Sequence, residues 1–267
     1  MAIAPSAVIH PGAIVEDGAE VGADCRIGPF CVVGPEVTLG AGTILHSHVV
    51  LGGVTRLGPG CIVFPFASLG LAPQDLKYRG ERTELVIGER TTVREYATMS
   101  PGTEGGGGIT RIGSGGLFMM HTHVGHDCII GDGVILSNCA TLAGHCEVGD
   151  GAILGGLAAV HQFVRIGRGA MVGGMSPVVA DVIPFGLVSG ERARLVGLNV
   201  VGLRRRNTGR AALAELRAAY DALFEGEGTL AERAVVVAES HPDNPLVGEL
   251  VRFVSEGRAR ALTLPAA

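Results

Sequence analysis

Residues 8–52 read VIHPGAIVEDGAEVGADCRIGPFCVVGPEVTLGAGTILHSHVVLG, and every sixth position is aliphatic: Ile9, Val15, Val21, Ile27, Val33, Leu39, Leu45 and Leu51. The series continues through Leu57, Val63 and Leu69, returns at Ile87, Val93 and Met99, and resumes one residue out of phase at Ile112 and onward to Val178. Glycine often follows the aliphatic residue (Gly22, Gly28, Gly34, Gly40), and a small residue lies four positions on (Ala13, Ala19, Cys25, Cys31, Thr43, Cys61, Ala67). Neither a helix of 3.6 residues per turn nor an alternating strand produces a strict period of six. A solenoid with three short strands per coil does, each hexapeptide placing one aliphatic and one small side chain in a narrow triangular interior.

Composition agrees with a narrow core. The 267 residues include 43 glycines, only 4% aromatics and no tryptophan, so the interior is built from small aliphatics and the backbone turns often. Five of the six cysteines (Cys25, Cys31, Cys61, Cys128, Cys146) occupy the small inward slot and read as buried, inert thiols. None has C-x-x-C spacing, which argues against a cysteine zinc site.

The aliphatic slot fails at Asp75 and Glu81, so residues about 71–86 are expected to leave the prism as a loop. A second loop is expected over about 100–111, with GTEGGGG as a flexible tip. After Ser189 the period stops. Helical spacing appears over 208–224, Thr229 with Glu232 forms a capping-box pattern, and Asn244 before Pro245 reads as an N-cap. The expected organisation is a β-solenoid over 1–190 and a C-terminal α-helical cap over 191–267.

The net charge is −5, which gives no overall nucleic-acid footprint. Residues 1–190 carry 10 basic and 16 acidic groups, and residues 191–267 carry 11 and 10. Within the second part Arg192, Arg194, Arg204, Arg205, Arg206 and Arg210 form a basic cluster suited to phosphates or an acidic protein. No apolar run reaches the roughly 18 residues of a membrane span, and MAIAPSAVIHPG lacks the features of a secretion signal. A cytoplasmic protein with reduced thiols is expected.

The stretch HTHVGHDC (residues 121–128) concentrates three of the chain's nine histidines. With three hexapeptides per coil, residues eighteen apart stack at about 4.8 Å, which puts His126, Gly144 and Gln162 in one column with His145 and His161 alongside and His123 nearby. Two chemistries suit such a set. H-x-H-x-x-H carries enough donors for zinc, as in γ-class carbonic anhydrases. A lone histidine could instead act as general base toward a hydroxyl, with the Gly144 amide facing a developing oxyanion. Lys77, the only lysine, sits in the first loop and suggests a compact charge near a phosphate or sugar.

The strings IGPFCVVGP (27–35), QDLKY (74–78), THVGHDC (122–128), ATLAGHCEV (140–148), AVHQFVRIG (159–167) and GLNVVGLRRR (197–206), in this order, closely resemble the acyl-carrier-protein-dependent UDP-N-acetylglucosamine O-acyltransferases of lipid A biosynthesis. The resemblance spans essentially the whole chain. It implies a left-handed parallel β-helix, a homotrimer with active sites between prisms, no cofactor and no metal. The implied reaction moves a (R)-3-hydroxyacyl group from acyl carrier protein to the 3-hydroxyl of UDP-N-acetylglucosamine, or to its 3-amino analogue. His126 would then be the general base, Asp127 its orienter and Gly144 the oxyanion donor. Asp75, Lys77, His123, His145, Gln162, Asn199, Arg205 and Arg206 would contact the nucleotide sugar or acyl donor. Gly174 would set acyl-chain length, its missing side chain leaving the groove open for a long chain. The arginine cluster would meet the acidic carrier protein. His121, Pro177, Arg192 and Val201 depart from the usual pattern, and the related N-acyltransferase acting later on the same pathway is the nearest alternative on this fold.

Overall fold

The computed structural model describes residues 2–257 and 259–265, so the outer limits of the two expected domains fall outside the described residues. Strands of mostly two residues, such as Glu20–Val21, Arg26–Ile27 and Val32–Val33, alternate with four-residue corners. Away from the two loops and the C-terminal end, strands pair in parallel with those eighteen residues on: Glu20 with Thr38, Arg26 with Ile44, Val32 with Val50. Among the described residues this builds three sheets, of 9, 11 and 9 strands, on the faces of a triangular prism. The fold is the expected left-handed parallel β-helix with C-terminal helices. The chain runs from the first sheet through the second to the third and then returns to the first, so the prism has three distinct corner edges.

Beyond the first coil, where Ile3, Ile9 and Val15 stay partly exposed, the second residue of each two-residue strand is buried, and Val21, Ile27, Val33, Leu39, Leu45 and Leu51 belong to one continuous core. At the corners the inward slot does more than fill space. The thiols of Cys25, Cys31, Cys128 and Cys146 donate to the carbonyls of Gly40, His46, Ala143 and His161, each fifteen residues on, at 3.2, 2.7, 3.2 and 3.3 Å. A small side chain with a donor thus satisfies a corner carbonyl that no strand partner reaches. Cys61 and Thr43 do the same toward Gly88 and Gly58.

The other corner signature is backbone handedness. Phe30, His48, Phe66, Tyr96, His121, Asp127, His145, Phe163 and Met175 all have φ between 57° and 66°. This left-handed conformation costs an L-residue roughly 1–2 kcal/mol and is held here by the ladders on either side. On the edge joining the second sheet to the third, Phe30, His48, Phe66, Tyr96 and His121 stack on successive coils with ring centroids 4.8–5.0 Å apart. Leu157 and Met175 extend this spine and are 58% and 73% exposed.

Both loops are shorter than expected. Val54–Leu57 pairs with Glu84–Ile87, thirty residues on, so the first excursion ends at Thr83 because Leu85 and Ile87 already take inward slots. Glu84 pairs with Ile109, so the second ends at Gly108. Nor is its tip a free end: Thr103 opens a 3-10 turn at Glu104–Gly106, and the Thr103 carbonyl accepts from the amides of Gly106 and Gly108.

The last coil strand, Gly186–Ser189, is followed by an antiparallel strand, Arg194–Leu198, that closes the open edge. Four helices follow: α1 (Val200–Arg205), α2 (Arg210–Glu225), α3 (Leu230–Ser240) and α4 (Pro245–Ser255). The capping box at Thr229 and Glu232 and the Asn244 cap form as read from sequence, whereas α1 lies outside the expected helices. A buried pair clamps α4 to the solenoid: Arg165 Nε donates to Asp181 at 2.7 Å, and its guanidinium lies 4.2 Å from the Phe253 ring centroid. The tail then returns to the solenoid, Leu262 bridging to Asp181 and Pro265 to Leu195.

Candidate active site

His126 and Asp127 form a corner between His123–Val124 of the third sheet and Ile129–Ile130 of the first. In a strand, consecutive side chains point to opposite faces. Here Asp127 is left-handed, at φ 59°, and the two neighbouring side chains meet: His126 Nδ1 lies 2.7 Å from Asp127 Oδ2. Asp127 has no exposed side-chain surface. Its other hydrogen bonds come from the second loop: the Thr103 amide donates to Oδ1 at 2.8 Å and the Thr103 hydroxyl to Oδ2 at 2.6 Å. A carboxylate only accepts hydrogen bonds, so the His126 bond runs from Nδ1–H, leaving Nε2 as the open nitrogen.

One coil further on, Gly144 lies beneath this ring. A Cβ built on it would sit 2.6 Å from both Cε1 and Nε2 of His126, so glycine is what lets the imidazole pack against this corner. Among the described residues nothing accepts a hydrogen bond from the Gly144 amide. His145, next in the chain, is edge-on to His126 with ring centroids 4.9 Å apart and stacks on Phe163 at 4.4 Å. His123 Nδ1 shares a 2.8 Å hydrogen bond with the Thr98 hydroxyl. Burial, and secondarily the charge of His126, holds His123 below the usual imidazole range. Burial lowers His145 as well, against the upward pull of the Asp127 carboxylate. Both are therefore neutral near pH 7, which suits them to act as hydrogen-bonding groups.

His123, His126, Gly144 and Gln162 line one cleft of about 510 Å³ with Gln74, Ser100, Thr141 and Ala159. Asp75 and Lys77 lie close enough to act electrostatically on His145. An Asx turn, Lys77 N–H to Asp75 Oδ1 at 2.9 Å, shapes this loop. The sequence reading missed Gln74 and Ser100. The shifted register that pairs Thr98 with His123, twenty-five residues apart, is the signal that would have found Ser100. It also missed Arg260, whose guanidinium reaches His161 Nδ1 at 2.9 Å and the Gln162 carbonyl at 3.1 Å from the C-terminal tail.

The other predicted residues lie on other edges of the same prism. Gly174 is on the second-to-third edge, in the corner between Met171–Val172 and Pro177–Val178. Asn199 caps α1 by accepting from the Gly202 amide, and its Nδ2 donates to the Gly169 carbonyl at 3.0 Å. Arg206 Nη2 donates to the Gly151 carbonyl at 2.5 Å, which ties it to the first-to-second edge and removes it from the arginine cluster. Arg205 is exposed beside it. A groove of about 800 Å³ near α1 and α2 gathers Arg204 and Arg210 with Arg217, a third arginine the sequence reading left out.

The H-x-H-x-x-H spacing does not converge as a chelate. His121 stacks on Tyr96 at one edge while His126 sits at the next. A different donor set exists, since nitrogens of His126 and His145 and an oxygen of Asp127 lie within 4.8 Å of one another. However, both Asp127 oxygens and the His126 Nδ1 are already committed to hydrogen bonds.

Comparison with known proteins identifies the family. Residues 181–263 match the family model described as Udp N-acetylglucosamine O-acyltransferase, domain 2, and residues 2–35 and 18–53 match the bacterial transferase hexapeptide repeat. A protein of Caulobacter vibrioides named acyl-(acyl-carrier-protein)-UDP-N-acetylglucosamine O-acyltransferase is 55% identical over 230 residues, covering 86% of this chain and 88% of its own. One of the same name from Paracoccus denitrificans is 56% identical over 197 residues, covering 73% and 74%. The solved UDP-N-acetylglucosamine acyltransferase from Campylobacter jejuni superposes with a TM-score of 0.92 at 37% identity, covering 97% of this chain and 100% of that one. With 86% of its length matched at 55% identity, the chain belongs to the UDP-N-acetylglucosamine O-acyltransferase family.

Proposed function

We propose that this chain transfers a (R)-3-hydroxyacyl group from the thioester of acyl carrier protein to the 3-hydroxyl of UDP-N-acetylglucosamine, with His126 as general base. The observation that carries the base assignment is the Asp127–His126 couple packed against Gly144, close enough that no side chain fits there. His126 Nε2 removes the proton of the sugar hydroxyl as its oxygen attacks the thioester carbonyl. Negative charge moves to the carbonyl oxygen, where the Gly144 N–H donates to it. Collapse of the tetrahedral adduct breaks the C–S bond, and the imidazolium returns its proton to the leaving thiolate, giving ester and free thiol. A thioester is already activated, so base, oxyanion donor and proximity suffice without metal, cofactor or covalent nucleophile.

Asp75, Lys77, His123, His145 and Gln162 contact substrate from the His126 edge. Asn199, Arg205, Arg206 and Gly174 lie on other edges of the prism, so they complete the site only from a neighbouring protomer in a homotrimer. The exposed apolar spine from Phe30 to Met175 supports that association. The arginine groove by α1 and α2 suits an acidic carrier protein. In this division the solenoid up to about residue 190 carries the chemistry and the helical part receives the carrier. Among the described residues no helix is long and apolar enough to cross a membrane.

The test is incubation with a panel of hydroxyacyl carrier proteins and either UDP-N-acetylglucosamine or its 3-amino analogue, with products identified by mass. A long-chain 3-O-acyl product that disappears in His126→Ala is expected. No product with either sugar, or an undiminished rate in His126→Ala, refutes the assignment; an amide formed only with the amino sugar moves the acceptor. Sedimentation of the active species tests the trimer.

A further inference from the structure

We infer that Thr103, through the loop it anchors, is a positioning residue for the Asp127–His126 couple. The inference rests on His126 being the base. A carboxylate stripped of water needs replacement donors or it does not stay ionised and still. The second loop supplies them. Thr103, only 6% exposed, gives its amide to one Asp127 oxygen and its hydroxyl to the other, at 2.8 and 2.6 Å. The hydroxyl thus shares Oδ2 with His126 Nδ1 and fixes the rotation of the carboxylate about its own axis. From the other side the Asp127 amide donates to the Thr110 hydroxyl at 2.8 Å, and Thr110 is fully buried.

The glycine run of this loop has a matching purpose. A Cβ on Gly106 would fall inside the Asp127 carboxylate, so only glycine lets the loop close over that group and exclude water. Gly107 and Gly108, at φ 99° and 80°, turn the chain back so that the Thr103 carbonyl accepts from Gly108 N–H. The segment is therefore a clasp built around one carboxylate. Through that carboxylate it fixes which imidazole nitrogen carries the proton and which faces the substrate.

The test measures kcat, KM and melting temperature for the wild type, Thr103→Val, Thr103→Ser, Gly106→Ala and His126→Ala between about pH 5.5 and 9. Valine keeps the shape and the backbone donor and removes only the hydroxyl. With fewer donors the carboxylate is a stronger base toward the imidazolium, so the acid limb of kcat/KM moves to higher pH. The expected loss in kcat is roughly tenfold to a hundredfold at nearly constant KM, by analogy with groups that orient a histidine from behind. Thr103→Ser restores rate and profile, and Gly106→Ala, which displaces the carboxylate with Thr103 intact, loses rate by a similar factor. Wild-type kcat and profile in Thr103→Val or Gly106→Ala, with His126→Ala inactive, overturn the positioning role alone. So does a pH-independent loss that Thr103→Ser fails to restore and that follows the melting temperature. Full activity in His126→Ala removes the base assignment and this inference with it.

Discussion

Replacing Gly144 by alanine adds one methyl group at the point where the proposed mechanism has least room. That methyl would lie 2.6 Å from Cε1 and Nε2 of His126, whereas carbon atoms in comfortable contact are about 3.5–4.0 Å apart, so the ring must retreat by about 1 Å. It cannot retreat freely, because Nδ1 is held 2.7 Å from Asp127 Oδ2 and that carboxylate is itself held by Thr103. A misplacement of about 1 Å costs on the order of a hundredfold in rate, equivalent to about 2.7 kcal/mol of barrier. Alanine keeps the Gly144 N–H, so the loss reports the base and not the removal of an oxyanion donor. Gly144 is not among the positive-φ glycines, so alanine brings no backbone penalty and the melting temperature should move by only a few degrees. Steady-state turnover with hydroxyacyl carrier protein, read by product mass, should give a kcat reduced about a hundredfold with KM little changed. A kcat within twofold of wild type would show that the ring does not work from this position.

Gly174→Met should shorten the preferred acyl chain. Apart from the Gly156 backbone, whose carbonyl oxygen would be 3.1 Å away, no atom lies within 4 Å of a Cβ there, so the outer part of the new side chain has room on this edge. Excluding three to four methylenes at ~0.8 kcal/mol each predicts a loss on the order of a hundredfold in kcat/KM for the longest donor only; equal losses for short and long donors would count against the ruler. Asp181→Ala removes the 2.7 Å partner of the buried Arg165 guanidinium, leaving Glu256 at 3.7 Å as its carboxylate, and should cost about 3 kcal/mol, seen as a melting temperature lower by roughly 10 °C. His123 and His145 are held below the usual imidazole range in the fold. The unfolded chain therefore binds more protons once pH drops below about 6.5, and their contribution to stability is intact above that value and lost below it. Denaturation midpoints should fall between pH 7 and 5, and His123→Gln should flatten that slope.

The period of six made the solenoid legible because each hexapeptide must fill the same small cross-section, and the repeat length alone placed His126, Gly144 and Gln162 in one cleft. It failed where the chain left the prism. Loop ends depend on where an inward slot is next filled, and Leu85 filled one before the aliphatic at Ile87 marked it. Thr103 was invisible because its partner is twenty-four residues away across an excursion, outside any fixed period. The corner conformations were hidden for a different reason: left-handed positions usually announce themselves as glycine or asparagine, and here phenylalanine, tyrosine and histidine occupy them because the ladders on both sides leave no other backbone path. Arg260 and α1 depend on how the C-terminal segment folds back, which no local pattern encodes.

The same arithmetic that gathers one part of the proposed site disperses the rest. Positions separated by whole coils share an edge, and Gly174 lies two coils and two further hexapeptides beyond His126, so a regular prism places it at a different corner. No loop rearrangement within the solenoid can bring the two together, because every intervening strand is locked in register with its neighbours. Asn199 and Arg206 are likewise pinned to the Gly169 and Gly151 carbonyls on a third edge. In the proposed function a substrate that uses all these groups lies between prisms, with the base from one and the chain-length stop from another. Such a division allows a protomer isolated by substitutions on the Phe30 to Met175 spine to keep its Asp127–His126 couple and still lose acyl transfer.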